Sequence, residues 1–532
     1  MALRKLLFKS GVNRENTRYT NEGGWYVSDK VRFRQGTPEK IGGWIQYSAN
    51  QFNGVCRNLW NWVTNTGANL LGVGTNTKYY VEYSGTYNDI TPSGLAAGAA
   101  TTTTSTGWGL GSWGSGTWGF GGGTTTDARV WSAMNWGEDL VFAPRNGSIY
   151  YYDYSGGFVP AVNINTLSGS THAPTQVNYI YISDVSRFLL AFGANDPADT
   201  VAGTFDPMLV RWADQESLTD WYPQITNQAG SLRLSHGSQL ITSVQTRQEI
   251  FTLTDSAAYS LQYVGAPYVW GAQLVGDNIS VMGQNSAIFA SGAVYWMGVD
   301  KFYVYDGRVQ TLPCDLRRYV FSDINLVQSL QVFAGTSEGF NEVWWFYCSS
   351  NSTTVDRYIV YNYLEKVWYY GTMARTAWSD SGLRPYPQSA DYNNRILNQE
   401  YGVDDVSTGT AVAIDAYIES AEFDLDDGDH FMYVYRTVPD LTFSGSSNGT
   451  APEVTFSIYP KRSSGSPAGT PAADTVSAAA YPVDEYTSQI YTRFRARQAY
   501  IKVRSTKIGT NWQLGAPRLD MKPDGRATGG GA

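Results

Sequence analysis

EVWWFYCSSNSTTVDRYIVYNYLEKVWYY, residues 342–370, is the stretch on which the fold turns. Residues 343–348 are apolar or aromatic without a break. A Ser/Asn/Thr turn follows, then a second run at 358–363, a Leu-Glu-Lys turn and a third run at 367–370. Runs this short, bounded by turn residues and without a 3.6-residue period, predict strands rather than helices. Aromatic side chains suit a pleated, packed surface.

The same theme recurs on both sides. It is seen in NLLGVGTNTKYYVEY (69–83), LVFAPRNGSIYYYDYSGGF (140–158), RFLLAFG (187–193), EIFTLTDSAAYSLQY (249–263) and AVYWMGVDKFYVYDGRV (293–309). Asn146-Gly147 is a hairpin signal, because both residue types accept positive φ. The units return roughly every 45–70 residues, the scale of four-stranded propeller blades. About six such units in a row would leave many open edges unless the array closes on itself. The expectation is therefore an all-β chain with a β-propeller at 46–400, against the simpler alternative of a two-sheet array of meanders. Residues 1–45 are expected to pack on the propeller or complete it.

Residues 92–126 differ from their surroundings. They are low-complexity Thr and Gly with Trp108, Trp113, Trp118 and Phe120 interspersed. Such a segment reads as an insertion, either a spacer or a strap whose aromatics contact a partner. After about residue 400 the strands alternate more clearly, at 411–424, 432–443 and 454–459. Residues 460–485 are Pro/Ala/Ser/Thr-rich, and 491–503 alternate with cations on one face. Residues 401–532 are read as a separate β-sandwich-like docking domain with a flexible C-terminal tail.

Composition narrows the function. The chain has 532 residues, 14% aromatic and 16% charged, with a net charge of -9. An acidic chain does not wrap nucleic acid by bulk charge, although a channel past which DNA slides remains compatible. No apolar run reaches the about 18 residues of a membrane helix. The opening MALRKLLFKSGVNRENTRY has only a short apolar patch at 6–8, which does not read as a signal peptide. Three widely spaced Cys and three His argue against a disulfide scaffold, a Cys-rich zinc site or most His-based catalysis.

Chemical motifs occur without context. Gly335-Thr336-Ser337-Glu338-Gly339 and Gly445-Ser446-Ser447-Asn448-Gly449 match GxSxG, but neither opens a helix. Gly109-Leu110-Gly111-Ser112-Trp113-Gly114 matches GxGxxG inside the low-complexity segment, with no strand before it. The acidic run at 424–429 lacks a calcium-loop register. No catalytic residue, cofactor or metal is expected. Two groups of cations stand out: Lys30, Arg32, Arg34 and Lys40, and Arg493, Arg495, Arg497, Lys502 and Arg504. Alternation places each group on a strand face, either solvated or aimed at a partner. The second group, with the four aromatics of 92–126, forms the candidate docking set.

DKVRFRQGTPEKIGGW (29–44), LVRWADQESLTDWYP (209–223), VYWMGVDKFYVYDGRVQTLPC (294–314), FNEVWWFYCSS (340–350), DRYIVYNYLEKVWYYG (356–371) and RTAWSD (375–380) together resemble the tail hub, or nozzle, proteins of short-tailed double-stranded DNA bacteriophages. These are also described as packaged-DNA stabilisation proteins. The resemblance runs through most of 25–400 and weakly beyond. It implies a propeller-bearing structural subunit of the virion tail, assembled in the host cytoplasm. Six copies would form a ring below the portal and adaptor that extends and closes the DNA exit channel. DNA would pass without sequence recognition, tail fibres or spikes would dock outside, and no membrane would be entered. The family pattern has no counterpart for 92–126. The competing reading is a glycan-binding or glycan-cleaving phage tail protein, which needs an exposed aromatic cleft with carboxylates.

Overall fold

A strand without a polar side is stable only where its sheet is covered on both faces. A ring of radially packed sheets supplies that cover to every member. The computed structural model describes residues 3–106, 123–198, 203–425, 427–447, 451–462 and 479–526. Among them, seven sheets, antiparallel except for one parallel pair in the last, follow one another around a ring. The first six are chain-contiguous four-stranded blades, beginning with strands Cys56–Val63, Trp131–Trp136, Val177–Ile182, Leu240–Gln245, Ala287–Ala290 and Phe333–Ser337. The seventh begins with Ala377–Ser379. Each of these inner strands adjoins the next, and the seventh returns to the first, so the propeller is closed.

The second strand of each blade explains the sequence pattern. Asn69–Thr75, Asp139–Pro144, Leu189–Ala194, Ile250–Thr254 and Glu342–Tyr347 are buried along nearly their whole lengths. In Glu342–Tyr347, alternate side chains enter opposite interfaces. Trp345 packs 5.0 Å from the Phe302 ring of blade 5, while Trp344 stacks 5.7 Å from Trp378 of blade 7. Between Asp139–Pro144 and Tyr150–Tyr152 the chain turns through Asn146 at φ 59°, as its Asn-Gly sequence requires.

Blade 7 is closed from far away. Its fourth strand is Trp44–Gln46, antiparallel to Ile396–Gln399, with Asp405–Val406 lying parallel on its other side. The rest of the N-terminal segment joins the C-terminal half. Leu3–Lys5 pairs with Arg518–Arg526, Trp25–Asp29 with Ala416–Ser420, and Thr37–Lys40 with Gln513–Leu514. The C-terminal unit is sandwich-like, with a six-stranded sheet ordered about Gln498–Ser505 and two four-stranded sheets, one containing His430–Val438 and the other Gln513–Leu514. Its core residues Ile418, Phe456, Ile501 and Val503 belong to one apolar cluster with Trp344, Trp345 and Trp368 of blade 6. The core is continuous across the boundary near residue 400, so the sandwich is fused to blade 6 rather than standing separately.

Candidate functional site

The inner strands surround an axial cavity of about 230 Å³, lined by Arg57, Trp60, Tyr179, Ser243, Asn285 and Trp378 among others. That space suits a few waters or a small molecule, not a nucleic-acid duplex. Where the inner strands begin, the cavity is stoppered. Thr102, in the connection between blades 1 and 2, donates its backbone N–H to Gln328 Oε1 at 3.0 Å and accepts from Gln328 Nε2 at its carbonyl oxygen at 2.7 Å. Gln328 belongs to the connection between blades 5 and 6, three blades away by the shorter route, so this contact spans the mouth. Arg57 Nη2 donates to Ala100 O at 2.9 Å and to Gln331 Oε1 at 2.5 Å. Gln331 in turn donates to Gln328 and to Thr353 O. Thr102, Gln328, Gln331 and Arg57 are all buried; the two glutamine amides are hydrogen-bonded within the stopper, whereas Arg57 Nε and Nη1 have no hydrogen-bond partner among the described residues.

This stopper is the base of the low-complexity segment. Gly98 and Asn76 exchange two hydrogen bonds, and Arg129 Nη1 donates to Ala96 O. Beyond the base, Thr103–Thr106 pairs with Gly123–Thr126 as an isolated two-stranded ribbon. Trp108, Trp113, Trp118 and Phe120 lie outside the described residues. The insertion therefore divides at residue 102: residues 95–102 are part of the propeller, and the paired strands Thr103–Thr106 and Gly123–Thr126 lie beyond it. Two replacements by a short Gly-Ser linker should behave differently. Replacing 103–126 is expected to leave the melting temperature within about 2 °C, whereas replacing 92–126 opens the stopper and lowers it by roughly 5 °C or more. Equal melting of both would mean that the Thr102–Gln328 bridge contributes nothing.

The cations of 30–40 do not form a solvated face. Arg32 is 1% exposed and lies between two carboxylates. Its Nε and Nη2 reach Glu342 Oε1 and Oε2 at 2.8 and 3.1 Å, and its Nη1 and Nη2 reach Glu400 at 2.9 and 2.6 Å. Trp344 Nε1 donates to Glu342 at 2.9 Å, the Tyr369 hydroxyl also donates to it, and the Phe340 ring covers the guanidinium at 3.5 Å. Burial raises the Glu342 carboxyl above its ordinary range, while the two carboxylates hold Arg32 protonated. Lys40 Nζ donates to Val403 O and Thr510 O at 2.7 Å each. Burial lowers its amine to about 8. Lys30 pairs with Asp29 and Thr372, so Arg34 is the exposed member of this group.

The five C-terminal cations do not share one surface either. Their strand changes sheets at Arg497: Phe494–Ala496 pairs with His430–Val438, and Gln498–Ser505 joins the other sheet. Arg495 is paired with Asp524 at 2.8 Å, Lys502 with Glu419 at 3.0 Å, and Arg504 with Asp415 at 2.6 Å. Arg497 Nε donates to Gly428 O, and Arg493 lies over the Tyr435 ring. Alternation had correctly placed the side chains outward. It could not reveal the sheet change or the carboxylates, which come from distant strands.

The motifs fit structural roles. Ser337 ends a blade strand and is 2% exposed. Ser446 Oγ donates to Asn511 O, while Asn448 and Gly449 lie outside the described residues, as do 109–114 and Asp426. Asp424 accepts from the Tyr19 hydroxyl at 2.7 Å. Burial pushes the Cys56 and Cys348 thiols up to about 12, which removes thiolate at neutral pH. Among the described residues, no three His, Cys, Asp or Glu side chains converge as metal ligands.

The features most suited to contact another molecule lie elsewhere, on blade 4. Its outer hairpin, Ala257–Gly265 and Val269–Asp277, has nine-residue strands. The other outer strands are shorter, and those of blades 6 and 7 are covered by the N-terminal segment and by Asp405–Val406. From Val269 to Gly276 the edge carries no charge, and Ala272, Gln273 and Leu274 are exposed. Tyr263, Val264 and Tyr268 are exposed at its tip. In sequence this hairpin was one more repeat. Its exposure depends on what packs beside it.

No protein-family model and no curated protein matches the chain. Among solved structures, the N-terminal domain of Nup159 is similar at 11% identity and a TM-score of 0.35, covering 70% of this chain and 99% of that one. A chain of the S. cerevisiae complex of Dbp5 with Nup159, Gle1, IP6 and ADP gives 11% and 0.34, covering 70% and 98%. Hsv2 of Kluyvelomyces marxianus gives 7% and 0.30, covering 50% and 70%.

Proposed function

We propose that the chain is a structural subunit of a bacteriophage tail, the nozzle or hub, which assembles as a ring below the portal and adaptor and offers its outside to fibres or spikes. The reading rests on the resemblance of residues 25–400. The observation that carries it is the unprotected edge of blade 4. An edge strand that carries no charge over Val269–Gly276 and is exposed at Ala272, Gln273 and Leu274 is a template for pairing with another chain, and proteins that remain alone blunt such edges with charge, proline, bulges or cover. Because the axial cavity is small and stoppered, a DNA channel in this reading runs between copies and not through a propeller.

The chain acts here as wall and docking surface without catalysis of its own. Turnover of a capsular or cell-wall glycan, abolished by one Asp or Glu substitution, would overturn that part. The test of assembly is a charge on the edge. Leu274→Lys is expected to leave the monomer melting within about 1 kcal/mol of the parent, since the side chain is exposed. Images of the purified protein or the particle should lose the axial ring. If Leu274→Lys rings form at normal yield, blade 4 is not the contact. If the parent forms peripheral trimers, the glycan-recognition reading replaces this one.

A further inference from the structure

At the seam between the N-terminal segment, the helix Arg317–Asp323 and blade 6 lies a cleft of about 330 Å³. Its floor is Arg14. The guanidinium carbon lies 4.3 Å from the Tyr319 ring centroid and 4.9 Å from that of Tyr26, and Nη1 donates to the Tyr370 hydroxyl at 2.8 Å. Arg14 forms no ion pair with a carboxylate among the described residues, unlike Arg18 nearby, which pairs with Glu419 at 3.0 Å. Two rings and a hydroxyl thus hold a cation in one orientation while its remaining N–H groups stay available.

The rest of the lining is rich in donors. Arg318 contributes a second guanidinium that forms no ion pair among the described residues. Tyr26 and Tyr319 bring hydroxyls to the same cleft, while the Ser322 hydroxyl donates to Tyr319 O and that of Thr17 is shared with Thr20. The single lining carboxylate, Glu15, already accepts the backbone N–H of Arg318 at 2.5 Å. One held guanidinium and one exposed guanidinium outnumber the single lining carboxylate, Glu15, and favour an anion with several acceptor oxygens. A carboxylate offers two oxygens and one charge; a phosphate offers more acceptors and more charge to a cleft with two guanidiniums.

We propose that this cleft binds a phosphate group, free or carried on a small organic molecule. The cleft is larger than the ion itself, which leaves room for a substituent.

The experiment uses the full chain at constant ionic strength. Inorganic phosphate, phosphoserine and acetate are titrated separately by calorimetry. Saturable phosphate binding with Kd below about 10 mM is expected, with acetate at least tenfold weaker. Phosphoserine binding more tightly than inorganic phosphate would identify an organic carrier, and equal binding would identify the free ion. Arg318→Gln, an exposed change that keeps the backbone contact to Glu15, should weaken binding at least tenfold with unchanged melting. Arg14→Lys keeps the charge but loses the fork, and should weaken it similarly. No saturable phosphate binding, acetate binding as well as phosphate, or an Arg318→Gln protein that binds like the parent would each overturn the proposal.

Discussion

Replacing Arg32 by methionine is expected to destabilise the folded chain by roughly 3–5 kcal/mol, because it leaves buried carboxylates without their cation. Arg32 stands on an N-terminal strand, Glu342 on blade 6 and Glu400 just after blade 7, so one guanidinium joins three parts of the chain. The loss should depend on pH in a set direction. Burial already holds the folded-state value of Glu342 above its unfolded value. Without Arg32 it rises further. Between the two values the folded state binds a proton that the unfolded state has released, so stability falls as pH rises. The gap between parent and variant should be narrower at about pH 5 than at about pH 8. Denaturant melts at the two values check this. A gap that does not change with pH would assign the loss to packing against Phe340 instead of charge. Arg32→Met with Glu342→Gln should recover part of the loss, since one buried charge is then removed.

Removal of residues 3–46 is expected to abolish cooperative folding. It takes out the outer strand of blade 7, the pairing of Leu3–Lys5, Trp25–Asp29 and Thr37–Lys40 with the C-terminal sheets, and the Arg32 network. Their sum exceeds the about 5–15 kcal/mol by which a domain is normally stable. Near-ultraviolet circular dichroism of the shortened chain should lack the signal of its packed tryptophans. Ile45→Pro is the finer probe. Ile45 pairs with Asn398 on one side and Val406 on the other, and proline there removes the donor from an internal strand. A shortened chain that melts like the parent would show that the ring closes without this strand.

The role of this segment marks where sequence reading stopped. DKVRFRQGTPEKIGGW displays alternating cations, and alternation alone predicts a face. It does not say whether water or Glu342, 310 positions away, meets that face. The same holds for Arg504 and Asp415, and for Thr102 and Gln328. Ion pairs and stoppers are set by which distant elements arrive, and a local pattern carries no record of them.

By itself the sequence determined the class of the fold. Short aromatic runs such as 343–347, bounded by turn residues, make the chain all-β, and many of them in succession favour a closed propeller over an open array of meanders. The change of pattern after 400 likewise announced a second β unit. Only the tertiary structure decided that the described residues form seven blades, that Trp44–Gln46 closes the last, that the two units share one core, that the basic strand splits between sheets at Arg497, and that no described strand pairs with the outer edge of blade 4. The physical reason is range. Strand type is a local matter of hydrophobic spacing and turn residues, whereas pairing, charge neutralisation and exposure depend on contacts between residues hundreds of positions apart.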